Sequence, residues 1–222
     1  MVLLFTVSKE LYSPNEDLKC GIVYVPPFGS KFASNDPFFE LQNEIFRHFG
    51  DSKHVFLLGD FNARCGDLSD YTAIDDSLSF MFDLQHMQDE DDEVIRQFDM
   101  NNTPLNRNSV DKINSYGRQM IEFCKTNNIF KLNGRFSSDI VHPKLTCKNS
   151  STVDYALSSS YIFATILEFK VEDYSFLYSD AHCPLSLKLR RQRIPQIEPI
   201  IHRTNNSPQT KTVKREERSI VC

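Results

Sequence analysis

The sequence predicts an α+β fold in which packed sheets are flanked by helices, and three observations carry that prediction. Apolar, β-branched runs short enough for strands recur along the chain. Two longer segments place apolar residues at helical spacing, and 40% of the 222 residues are hydrophobic, enough for one sizeable core. Residues 1–190 are expected to form that domain. From residue 191 to residue 222 apolar content falls and Pro, Asn, Gln, Thr and basic residues take over, the composition of a flexible, basic tail or linker.

Met1–Val7 is apolar, has no basic stretch ahead of it and is cut off by Lys9 and Glu10, which predicts a strand and not a signal peptide. Lys19–Val25 is a second strand, stopped by Pro26 and Pro27. Asn35, Asp36 and Pro37 then offer a cap and a first-turn proline. Phe38, Leu41, Ile45, Phe46 and Phe49 follow at helical spacing up to Gly50, a helix turning an aromatic stripe to the core. The strand-like run His54–Leu58 leads into Gly59, Asp60, Phe61 and Asn62. A second helix is expected over 109–127, where Ile113, Tyr116, Met120, Phe123 and Cys124 share a face and Asn127 and Asn128 can end it. Ile129–Leu132, Leu145–Cys147, Thr152–Ser158, Ile166–Val171 and Cys183–Leu189 are the remaining strand candidates. The acidic run Asp89–Glu93 reads as a solvated loop, because adjacent carboxylates repel and seldom converge on one ion.

Composition excludes several function classes. No apolar run approaches the roughly 18 residues needed to cross a membrane. The six cysteines are scattered without a Cys-x-x-Cys pair, which argues against a zinc knuckle and a disulfide framework and for a reducing, intracellular setting. Asn-x-Ser/Thr matches at Asn101, Asn149 and Asn205 read as chance in a chain rich in Asn and Ser. The net charge of −5 is unevenly divided: from Arg190 onward eight Lys/Arg face three Glu, or +5, leaving −10 for the body. A polyanion bound by that body needs a divalent cation and a local basic wall.

Three segments bear chemistry. Asp60 falls at the carboxyl end of a buried strand, where such folds expose functional groups, and with Asn62 two residues on it can orient and deprotonate a water. Asp154 lies in Thr152–Tyr155, and Asp180 and His182 lie in Ser179–Leu185. Taken singly each has a plain reading: Asp60 a turn former, Tyr24 a core aromatic, Asp154 a partner of a backbone amide, His182 a satisfied histidine. Their weight comes from appearing together and in order.

In that order they resemble the endonuclease/exonuclease/phosphatase superfamily, which includes apurinic endonucleases and pancreatic deoxyribonuclease. Gly59-Asp60-Phe61-Asn62 is similar to its Gly-Asp-x-Asn motif, Gly21–Pro27 to its Tyr-x-Pro strand, Ser151–Tyr155 to its Ile-Asp-Tyr segment and Ser179–Leu185 to its terminal Ser-Asp-His motif. Arg107–Asp111, Asn114-Ser115-Tyr116-Gly117, Phe123-Cys124 and Leu132-Asn133-Gly134-Arg135 further resemble the endonuclease domains of non-long-terminal-repeat retrotransposons. The resemblance implies a four-layer α/β sandwich and a DNA endonuclease dependent on Mg2+ or Mn2+, acting in the nucleus, with a reverse transcriptase following in a longer polyprotein. It assigns Asp60 as base, Asn62 as a partner of the water or phosphate and Tyr24 as a phosphate donor. It makes Asp154 the residue that orients His182, and His182 the charge stabiliser. Arg107 and Asp111 are expected to pair as a structural salt bridge.

Two departures from that pattern bear on activity. Ser179-Asp180-Ala181-His182 carries one extra residue between acid and imidazole, which is expected to leave His182 in place and put Asp180, a candidate metal ligand, in a bulge. The family's opening strands, with an Asn and a metal-binding Glu, lie upstream of the tyrosine strand, and only some twenty residues precede Tyr24. The expectation is a partial domain with its opening strands missing, weakened metal binding, impaired activity and an exposed sheet face. The alternatives are a phosphatase of the same fold acting on inositol or sphingolipid phosphates, and a non-catalytic remnant.

Overall fold

A computed structural model of the protein describes residues 1–12, 16–72, 93, 95–107, 109–148, 150–190 and 220–221. The elements in chain order are β1 (Val2–Val7), α1 (Lys9–Tyr12), β2 (Leu18–Tyr24), α2 (Pro37–Phe49), β3 (Val55–Asp60), α3 (Ser115–Thr126), β4 (Ile129–Lys131), β5 (Asp154–Ser159), β6 (Ile166–Val171), β7 (Leu185–Leu189) and β8 (Ile220–Val221). The first five-stranded sheet has the order β1-β2-β3-β5-β4, with β2 and β3 parallel and the other pairs antiparallel, and β6-β7-β8 forms a second, antiparallel sheet. This is a mixed α/β architecture around a central mixed sheet.

The run Val55–Leu58 is buried on both faces because both faces of the central sheet are covered. Val55 and Leu57 pack with Phe38, Leu41 and Ile45 of α2 and Tyr116, Met120 and Phe123 of α3, whereas Phe56 and Leu58 pack with Phe169, Val171 and Leu185 of the second sheet. Side chains alternate along a strand, so Asp60, two residues beyond Leu58, belongs to the face turned toward the second sheet. On that face the outer strands are less covered: Leu3, Phe5 and Ile22 are exposed.

Most elements follow the sequence expectation, with local differences. In α2 the cap is Asp36, whose carboxylate accepts from the Phe39 amide, with Pro37 in the first turn. Its aromatic stripe reaches the core through Phe38 and Phe49, but Phe46 is exposed. Helix α3 begins at Ser115 and not at 109, because the Asn114 side chain accepts from the Gly117 amide and ends the preceding loop there. Ile113 thus lies off the helix, bridged to Cys65. Leu145–Cys147 forms only isolated bridges, from Cys147 to Ser151 and to His182. The expected 191–222 tail lies outside the described residues apart from β8, as does the 89–93 acidic run apart from Glu93.

Arg107 and Asp111 do not pair. Arg107 donates to the Gly66 carbonyl, and the Asp111 carboxylate accepts the Thr152 amide at 2.6 Å and the Lys112 amide. Backbone amides reached first by a short carboxylate leave it no reason to seek the longer side chain.

Candidate active site

Strand register brings the first three groups together. Tyr24 of β2 is opposite Asp60 of β3, and Asp60 is opposite Asp154 of β5, a single cross-strand row at one end of the central sheet. Across the antiparallel β3–β5 pair, directly opposed residues place their Cβ atoms about 4.5–5.5 Å apart on one face. The close approach of β2 and β3 depends on Gly59, at φ 149°, where a Cβ would lie 1.9 Å from the Val23 carbonyl oxygen.

Asp60 is held from its own loop. Its Oδ1 accepts the Asn62 backbone amide at 2.9 Å and its Oδ2 the Asn62 Nδ2 at 3.1 Å, and the same Nδ2 donates to the Val25 carbonyl at 2.8 Å. Both protons of the Asn62 amide are therefore committed. What remains is its Oδ1, an acceptor suited to a water and unsuited to a phosphate oxygen.

Asp154 is buried and meets His182 Nδ1 with both oxygens, at 3.1 and 2.9 Å. Thr146 Oγ1 accepts the backbone amides of Val153 and Asp154, and Asn133 donates to the Asp154 carbonyl while accepting from Ala156, so the start of β5 is clamped from both sides. His182 is half-buried. Its amide donates to Ser179 Oγ, and flanking backbone bonds from Lys148 to Ala181 and from Cys183 to Thr146 align 181–183 against 146–148. Asp180 sits exposed in the turn closed by Ser179, ahead of β7, and not in a bulge of that strand. Its charge still reaches His182.

Each of the three converging groups holds protons more tightly than usual. Burial raises the pKa of Asp60, with the Asp154 charge adding to it against the hydrogen bonds of Asn62 and the charge of His182. Burial raises Asp154 likewise, offset in part by bonds to His182 and Thr146. For His182 partial burial works against the charged form, but the hydrogen bond and charge of Asp154, with the charges of Asp60 and Asp180, outweigh it and the pKa is raised. The cluster sets two carboxylates against a single imidazole. One atom each from Asp60, Asp154 and His182 lies within 4.8 Å of the others, and this acidic cluster can hold a cation. Carboxylate oxygens suit a hard divalent ion.

Of the residues singled out from sequence, Tyr24, Asp60, Asn62, Asp154 and His182 are brought together, and Asp180 stays outside the cluster. The sequence marks Asn114 and Gly117 only as part of a family resemblance, and their positioning role emerges from the structure. Asn114 caps α3, accepts the Arg64 amide at 2.9 Å and donates to the Asn62 carbonyl at 3.2 Å. Gly117 lets the helix touch that loop, since a Cβ there would lie 1.9 Å from the Arg64 carbonyl oxygen. The Asn-x-x-Gly spacing of a cap was a usable signal; nothing in the sequence marks Thr146.

No family model matches the chain, and no curated protein matches it. Among solved structures, the endonuclease domain of TRAS1, a telomere-specific non-LTR retrotransposon, superimposes with a TM-score of 0.49 at 12% identity, over 85% of this chain and 61% of that one. The chain spans 61% of the length of that structure.

Proposed function

We propose that the protein is a metal-dependent phosphodiesterase of the endonuclease/exonuclease/phosphatase type, with a four-layer sandwich and DNA as its substrate. The observation that carries the proposal is the cross-strand row Tyr24–Asp60–Asp154 with His182 on Asp154. Phosphodiester cleavage needs a positioned water, a base, and positive charge on the phosphoryl oxygens. Asp60, held in place by the Asn62 amide and side chain, takes the water's proton. The Asn62 Oδ1 accepts the water's other hydrogen. His182, kept protonated by Asp154 on Nδ1, presents Nε2–H to a phosphoryl oxygen, and the half-exposed Tyr24 hydroxyl donates to a second.

Asp60 and Asp154 would hold Mg2+ or Mn2+, with the Asp180 charge nearby, and the ion would supply Lewis-acid polarisation of the phosphoryl group. A nuclear setting and a reverse transcriptase partner in a longer polyprotein belong to the same reading. The test is hydrolysis of bis(p-nitrophenyl) phosphate and of a DNA oligonucleotide with Mg2+, beside inositol phosphates. Cleavage of both diesters, lost in His182→Asn, is expected. Release of phosphate from inositol phosphates alone makes it a phosphatase, and no turnover by folded protein makes it a remnant.

A further inference from the structure

We propose that the loop joining β6 to β7 is a stacking surface for unpaired nucleobases. The inference rests on the phosphodiesterase reading above and names how that site meets nucleic acid. Within five residues the loop presents Tyr174, Phe176, Leu177 and Tyr178, the last three 84%, 92% and 68% exposed. The Tyr174 and Phe176 rings pack edge to face with centroids 5.0 Å apart. Large apolar side chains concentrated on a surface loop mark a contact site more often than an accident of composition.

The loop is continuous with the catalytic histidine through a short hydrogen-bonded path. Tyr178 and Ser179 amides donate to the Ser175 carbonyl, Leu177 donates to Ser175 Oγ, and Ser179 Oγ in turn accepts from Ala181 and His182. Tyr178 is thus four residues from His182, and the two are joined through the same Ser179 turn.

Charge selects the kind of contact. The chain has a net charge of −5, and the lysines at the root of the loop are paired, Lys144 with Asp173 at 2.8 Å and Lys170 with Glu172 at 2.6 Å. Bulk attraction for phosphates is thus weak here, whereas an exposed ring stacks on any base. A paired duplex hides its base faces; unpaired bases offer them.

The chain contains no tryptophan, so Phe176→Trp installs a sole indole reporter. Its emission is expected to be quenched saturably by single-stranded oligothymidylate and far less by a blunt duplex. Replacing Phe176, Leu177 and Tyr178 together by Ala is expected to lower oligothymidylate affinity by about tenfold or more, the scale of one stacking contact, and to leave hydrolysis of bis(p-nitrophenyl) phosphate unchanged. Three results overturn the proposal: an oligonucleotide that binds by anisotropy without quenching the indole, no oligonucleotide binding at all, or parent self-association that the triple variant abolishes. Quenching without any diester hydrolysis keeps the stacking surface and overturns the phosphodiesterase reading instead.

Discussion

Asp70 and Asp154 are both buried aspartates facing a cation distant in sequence, Arg135 and His182 respectively, and they differ in what is left over. Arg135 gives two N–H groups to the Asp70 carboxylate and the others to the carbonyls of Pro104, Leu105 and Lys131, so all five are satisfied. Burial alone would raise Asp70, but the charges of Arg135 and Lys131 and their hydrogen bonds hold it well below the usual carboxylate range. Around Asp154 the balance is reversed: a second carboxylate stands opposite, the imidazole is partly exposed, and every proton affinity is raised. A saturated pair locks structure, and an unsaturated one has capacity for a substrate.

Breaking each cluster should have a different signature. The largest effect is expected from Asp60→Asn, a loss of about 10²–10⁴-fold in diester turnover, the usual worth of a general base, with an unchanged or raised urea midpoint. Undiminished turnover would place Asp60 with Asp70 as structural. Arg135→Ala should cost about 3–5 kcal/mol in urea unfolding, because it strands the Asp70 charge in the core. A cost near that of a surface substitution would remove the contrast. Asn114→Ala should lose about 1 kcal/mol from the α3 cap and lower turnover several-fold by freeing the Asn62 carbonyl. Destabilisation with turnover intact would deny Asn114 its positioning part.

The subtlest difference is in pH dependence. The folded pKa of Asp70 is depressed, so its stabilisation is present above the unfolded value of about 3.9 and is lost as pH falls toward the folded one. Asp60 is raised, so its ionisation opposes folding, and that cost is relieved as pH falls through its folded pKa. His182 is raised as well; its stabilisation is complete below about 6.5 and fades as pH climbs through the folded value. Asp60→Asn should therefore flatten the acid-side gain in an unfolding series from neutral to mildly acid pH. An NMR titration of the His182 ring should give a pKa above that of free histidine in the parent and a lower one in Asp154→Asn.

Much of this was legible in the sequence. An apolar run ending in Gly-Asp-x-Asn announces a strand and what it presents, and Asp36-Pro37 announces a helix start. Strand register then did what no local pattern specifies, placing Tyr24, Asp60 and Asp154 in one row. The start of α3 was obscured because Ile113 fits the helical period while belonging to a bridge with Cys65. Phe46 was read as core because a periodic stripe can be wider than the surface that covers it. The Asp70–Arg135 pair was invisible, since 65 residues separate partners that only tertiary packing joins.

Nicking of supercoiled plasmid with Mg2+ across pH, by the parent and by Asp60→Asn, tests the proposed chemistry most directly. The parent should nick with a rise as Asp60 ionises and a decline as His182 loses its proton, and the variant should leave the plasmid closed. Equal nicking by both proteins, or none by a folded parent, would contradict the assignment of this row of residues to phosphodiester cleavage.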